Sequence, residues 1–259
     1  LIGGLALLTA VLLQVLSNFA NDYGDSLHGA DNEDRYGPER MVLSGAISLT
    51  GMRKGVLAAG SASFLSGVAT LYAAIGVIGW SAALLLFALG IASIIAAYEY
   101  TASENPYGYQ GYGDVSVFLF FGLLAVSGGY TLQVGQLDLW TLLPAFSVGL
   151  FSAGVLNINN LRDYHTDAHT DKKTVPVRLG LRQAKVYHLW LLAMGVGFSV
   201  LYGLYSYDYW WQYPFLLVLA LFSKNALDIW QGKAPEDFAP KLKQLSLMTF
   251  VYTVVFGMS

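Results

Sequence analysis

NFANDYGDSLHGADNEDR, residues 18–35, closes a segment that is otherwise almost free of polarity. Asn18, Asn21, Asp22 and Asp25 stand at i, i+3, i+4 and i+7. A helix carried through the stretch puts all four on one face at its end. Carboxylates stacked at that spacing repel one another, and the negative end of the helix dipole disfavours them further. A charge inside a bilayer costs at least about 2.5–3.5 kcal/mol. The stretch makes physical sense as the end of a membrane span that expects a cation.

The rest of the chain agrees with a membrane setting. Its 259 residues are 55% hydrophobic and 12% charged, against about 25% charged in soluble domains. Mean hydropathy is +0.51. The net charge of −3 argues against a nucleic-acid partner. There is no cysteine, which excludes disulfides and thiolate metal sites. A crossing helix needs about 20 apolar residues. Segments 1–20, 55–77, 80–98, 114–133, 137–160, 186–205, 210–230 and 242–258 qualify, which predicts an all-α transmembrane bundle of eight spans in one domain, 1–259. Small-residue runs such as GSASFLSG and GLFSAG suit close helix packing in lipid. The chain opens at Leu1 in mid-pattern with no basic leader, which reads as a domain lacking its first helix and not as a signal peptide.

Basic residues set the orientation. Arg35, Arg40, Arg53 and Lys54 follow the first span; Arg162, Lys172, Lys173, Arg178, Arg182 and Lys185 follow the fifth; Lys224, Lys233, Lys241 and Lys243 lie between the seventh and eighth. These are all 14 bases of the chain. With eight spans they share one side, expected to be cytoplasmic.

On that side the acidic pattern returns. In NINNLRDYHTDAHTD, Asn160, Asp163, Asp167 and Asp171 stand at i, i+3, i+7 and i+11, and Asn159 to Asp163-Tyr164 repeats the spacing of Asn18 to Asp22-Tyr23. A weak internal repeat is expected. Asn and Asp oxygens suit hard divalent ions. Magnesium typically uses one or two carboxylates and completes its shell with water and substrate phosphates. Two such motifs on separate helices suggest two Mg2+ ions holding one polyphosphate, with Arg35, Arg40, Lys172 and Arg178 able to contact the same phosphates. Asp31, Glu33, Asp34 and Glu39 lie past the helical stretch and also read as solvated loop charges. His28, His165 and His169 stand beside the acids, so a mixed His/Asp metal site is an alternative. His188, inside a span, reads as structural.

The strings LSNFANDYGD…GADNEDRYGPER, PYGYQGYGD and NINNLRDYHTDAHTDKKTVPVRLG resemble the UbiA-type intramembrane prenyltransferases along almost the whole chain, and within them the branch that prenylates 1,4-dihydroxy-2-naphthoate in menaquinone synthesis. The resemblance implies a nine-helix bundle with a central cavity, of which eight helices are present here. It implies an integral protein of the bacterial cytoplasmic membrane with its active-site loops on the cytoplasmic side. The substrates implied are a polyprenyl diphosphate and an aromatic acceptor. Asn21, Asp25, Asp163 and Asp167 match the family's metal–diphosphate positions, and Asp22, a further metal candidate, falls within matching strings together with Lys172, Thr174 and Arg178. Asn18, Asn160 and Asp31 are weaker substrate-binding candidates. Asp31 is the nearest stand-in for a third acid that many relatives carry where this chain has Gly29. The loop TASENPYGYQGYGD, 101–114, has no base where some relatives have a lysine. Its Tyr107, Tyr109 and Asp114 are candidates for a cap over the acceptor, or the loop is a stabilising turn. Another aromatic acceptor such as 4-hydroxybenzoate, or a divalent-cation transporter, are the competing readings.

Overall fold

In lipid every backbone amide must find its partner within the protein, so long apolar runs fold as helices. The computed structural model describes residues 1–30 and 40–259; the expectations placed on Asp31 and Arg35, and on Glu33, Asp34 and Glu39, fall outside the described residues. Among those residues all regular structure is helical. α1 is Ile2–Leu27. α2, Leu49–Glu99, runs through the second and third expected spans. The fourth is α3, Gly113–Val117, then a π-helical stretch, Phe118–Ser127, then α4, Gly128–Val134. α5 is Leu142–Arg162, followed by two short helices, α6 at Tyr164–Ala168 and α7 at Val175–Leu179. α8 is Leu181–Ser206, α9 Phe215–Gln231 and α10 Pro235–Gly257. By length and composition α1, α2, Gly113–Val134, Leu139–Arg162 and α8 are able to cross a membrane. α9, with 17 residues, and α10 are not among them.

The boundary inside α2 is a single glycine. Gly79 has φ 72° and ψ 170°, a conformation a side chain would resist, and it divides the 51 residues into two arms. Close by, Gly135 ends α4 in the left-handed conformation, and a Cβ there would lie 2.6 Å from the carbonyl oxygen of Val77.

The chain forms two compact units. One comprises 1–110 with 127–138, the other 111–126 with 139–259. Each carries one acidic motif. In the first, α1 lies along α2, joined by Thr9, whose hydroxyl is 2.8 Å from that of Ser66 and 3.1 Å from that of Thr70. Such hydroxyl pairs tie helices together where lipid offers no hydrophobic drive. In the second unit Phe151, Phe215, Phe222, Ile229, Leu245 and Tyr252 form the core. Ser199 bonds both Ser147, at 3.0 Å, and Tyr252, at 2.7 Å. His188 is fully buried with Nε2 3.4 Å from Asn225 Oδ1.

The π-helical stretch meets α5 at two glycines. A Cβ on Gly122 would lie 2.5 Å from Gly149 Cα and 2.6 Å from Ala145 O, both backbone atoms that no rotamer change can move. Gly122→Ala is expected to cost about 1–3 kcal/mol of stability through overpacking and to lower the melting temperature in detergent. Gly129→Ala, where a Cβ meets nothing within 4 Å, is the matched control and should melt like the parent protein. Equal melting of the two variants would overturn the contact.

Candidate active site

The first motif lies on the last two turns of α1. The helix continues to Leu27, so Asn18, Asn21, Asp22 and Asp25 share a face. Their environments differ. Asn18 is exposed and accepts from Gln14 Nε2 at 3.1 Å. Asn21 Oδ1 accepts from the Thr101 hydroxyl at 3.0 Å, which also reaches Ala20 O at 3.0 Å. Asp22 is buried, and its two oxygens accept the backbone N–H groups of Met41 and Val42 at 3.0 and 3.3 Å. Asp25 is buried, with Oδ1 accepting from the Tyr109 hydroxyl at 2.7 Å and Oδ2 paired with Arg40 Nη2 at 3.1 Å.

The loop after Glu99 thus grips the first motif, a role its sequence did not announce. Thr101 and Tyr109 are both donors to motif side chains. The fit depends on Gly24, because a Cβ there would lie 2.3 Å from Thr101 O. Tyr107 serves the turn itself, its hydroxyl donating to Ala96 O at 2.9 Å.

The second motif differs from the unbroken helix its spacing suggests. α5 ends at Arg162, and Asp163 adopts φ −89° and ψ 7°. One further turn follows, with Asp167 N–H donating to Asp163 O at 2.8 Å. Asp163 and Asp167 are both buried, whereas Asp171 is exposed. Past Asp163 the strict i+7, i+11 register therefore does not apply. Asp163 takes Arg162 Nε on Oδ1 at 2.7 Å and Arg162 Nη2 on Oδ2 at 2.6 Å, and the same Nη2 reaches Asn159 Oδ1 at 2.9 Å. In the sequence Arg162 counted only toward orientation; its adjacency to Asp163 was the available signal. Asn160 is buried on α5.

Around this motif, Lys172 is half-buried and Arg178 exposed, with Arg178 Nε donating to Lys173 O at 3.0 Å. Thr174 is buried at the head of α7. Asp114 is buried in the first turn of α3 with its Oδ2 without a hydrogen-bond partner, and Tyr187 of α8 lies near enough to interact with its carboxyl; Tyr187 was not among the expected residues.

Among the described residues, no three acids or histidines cluster closely enough to hold a metal by themselves. His28, His165 and His169 are exposed, and ring nitrogens of His28 and His169 face backbone carbonyls of Ser103 and His165 at 2.9 and 2.6 Å. What each unit does offer is a buried carboxylate with an amide or second carboxylate one turn away. Hard oxygen donors in such small number fit an ion that completes its shell with phosphate and water.

Residues 1–251 match the model of the UbiA prenyltransferase family. A 1,4-dihydroxy-2-naphthoate octaprenyltransferase of Haemophilus influenzae is 42% identical over 98% of this chain and 82% of its own length. The protein of the same name from Escherichia coli is 41% identical over 94% and 79%. Among solved structures, a UbiA homolog from Archaeoglobus fulgidus superposes with a TM-score of 0.61 at 17% identity, over 99% of this chain and 87% of its own. A second structure of that homolog, bound to GPP and Mg2+, matches with the same score.

Proposed function

This chain belongs to the UbiA prenyltransferase family, and from that premise we propose that it moves a polyprenyl group from its diphosphate onto 1,4-dihydroxy-2-naphthoate, with loss of carbon dioxide, in menaquinone synthesis. The observation that carries the acceptor is the extent of the likeness: relatives named for that acceptor are 41–42% identical over nearly all of this chain. The chemistry is supported by the buried aspartates of the two motifs, Asp22 and Asp25 at the end of α1 and Asp163 and Asp167 just past α5. The protein is integral to the membrane, and the 14 bases, which an eight-span reading with α9 and α10 as further crossings gathers on one side, favour placing both motifs at the cytoplasmic face of a bacterial cytoplasmic membrane.

Asn21 and Asp25 in the first motif, and Asp163 and Asp167 in the second, would hold divalent metal, read as two Mg2+ ions. When bound, Mg2+ supplies the positive charge that stabilises the departing diphosphate as the C–O bond ionises. Arg40 beside the first motif, and Lys172 and Arg178 after the second, would add positive charge for phosphate. Asp22 is better assigned to positioning: both of its oxygens bind the backbone just after Arg40, which holds that arginine's stretch beside Asp25. The acceptor ring attacks the allylic cation, and its carboxylate departs as carbon dioxide, leaving its bonding electrons with the ring. Asp114 with Tyr187 is a candidate for contact with that ring.

The test is prenyl transfer in detergent with 1,4-dihydroxy-2-naphthoate and a polyprenyl diphosphate, first with Mg2+ and then with EDTA. Mg2+-dependent release of diphosphate and of a lipid-soluble quinol is the expected result. Transfer only to another acceptor, such as 4-hydroxybenzoate, would overturn the menaquinone assignment. Undiminished transfer in EDTA would overturn the metal.

A further inference from the structure

Both motifs keep an arginine on the carboxylate best placed to bind metal. Arg40 pairs with Asp25, whose other oxygen takes Tyr109. Arg162 takes both oxygens of Asp163 and is itself only 3% exposed. The two arginines come from different places, one from the chain 15 residues after its aspartate and one from the residue just before it. The shared feature is the outcome: each acid is neutralised by a guanidinium. Such pairing makes a carboxylate tolerable at the end of an apolar helix, since a buried carboxylate is costly until it is paired.

Pairing has a consequence for binding. A divalent ion placed on oxygens that a guanidinium already holds brings positive charges together. The repulsion is relieved only if the guanidinium gains another anion. A diphosphate is one that arginine's planar fork fits well.

We propose that Arg40 and Arg162 are stand-in cations, which hold Asp25 and Asp163 until substrate and metal enter and then transfer to the diphosphate, so that metal and diphosphate bind as a coupled pair. This rests on the metal–diphosphate reading above. Coupling of this kind is reciprocal: diphosphate must tighten metal by the same factor as metal tightens diphosphate.

The experiment measures Mn2+ binding by electron paramagnetic resonance in detergent, with and without inorganic diphosphate, for the parent protein, Arg40→Gln and Arg162→Gln. The parent should bind Mn2+ weakly alone and about tenfold or more tighter with diphosphate, within the usual range of coupling. Each variant should bind Mn2+ alone more tightly than the parent and lose most of the enhancement. Removal of Arg162 takes the guanidinium from the buried Asp163 carboxylate, so this variant should melt early and regain stability with Mn2+ alone. Arg40 has a side chain 23% exposed, so its variant is expected to fold and carries the test independently. Variants that bind Mn2+ no tighter than the parent would reduce the arginines to orienting the carboxylates, and the inference would fall while the metal site stood. A parent protein that binds no Mn2+ even with diphosphate would remove the metal site itself.

Discussion

Asp25→Asn and Asp163→Asn are each expected to fold, extract into detergent like the parent protein, and lose about 10²–10³-fold or more in prenyl transfer, the range seen when one group stabilising transition-state charge is removed. Asparagine is the informative replacement. It keeps the shape of the side chain and one acceptor oxygen, for the Tyr109 hydroxyl at 25 or one Arg162 N–H at 163, and gives up only the second guanidinium contact. Alanine at 163 would instead strand a guanidinium that is 3% exposed, and breaking a buried pair on one side costs about 3–5 kcal/mol. Loss of activity in the alanine variant would then confuse unfolding with chemistry. The double variant sharpens the test. Groups that serve one assembly are strongly non-additive, so Asp25→Asn with Asp163→Asn should be little slower than the worse single variant. Additive losses would mean that the two motifs act independently, and near-parental rates in either single variant would sink the proposal that both acids serve the transfer.

The parts of this arrangement that were legible in the sequence are those governed by composition and period. Apolar length announced the helices because lipid leaves the backbone no alternative, and helices cover all eight expected segments. The i, i+3, i+4, i+7 spacing placed Asn18, Asn21, Asp22 and Asp25 on one face because α1 does run on to Leu27. The same arithmetic fails past Asp163, where the chain leaves the helix for a residue before making another turn. Spacing counts residues and does not register a break in backbone angle. What could not be read was partnership. Asp22 and Asp25 look equivalent on paper, yet one ties down the backbone at Met41 and Val42 and the other faces Tyr109 and Arg40. Arg162 counted as a charge on a membrane face, whereas its position against Asp163 makes it part of the site. The loop 101–114 looked deficient because it lacks a base, but its contribution is made with hydroxyl groups. Long-range contacts of this kind depend on which loop folds back over which helix end, and neither hydropathy nor period encodes that.

Gly24→Ala is expected to be nearly as damaging as loss of Asp25, although it removes no functional group. The added Cβ would sit 2.3 Å from Thr101 O, 2.4 Å from Thr101 C and 2.7 Å from Ala102 N. All three are backbone atoms, so no side chain can turn aside, and either α1 or the loop must shift by more than an ångström. That loop carries Thr101 to Asn21 and Tyr109 to Asp25, so the displacement falls on Asn21 and Asp25 together. Misplacement by about 1 Å costs on the order of 10² in rate when geometry is what the protein supplies, and the overpacking itself costs about 1–3 kcal/mol. Transfer should fall about 10²-fold with a measurable drop in melting temperature. Gly4→Ala, on the same helix and with nothing within 4 Å of its Cβ, should change neither. Tyr109→Phe separates the two parts of the effect: it removes the hydroxyl from Asp25 without pushing on the backbone, and should reproduce a fraction of the loss in rate with little of the loss in stability. A Gly24→Ala protein with parental activity would show that the loop does not brace the first motif, and Thr101 and Tyr109 would then have no part in placing Asn21 and Asp25.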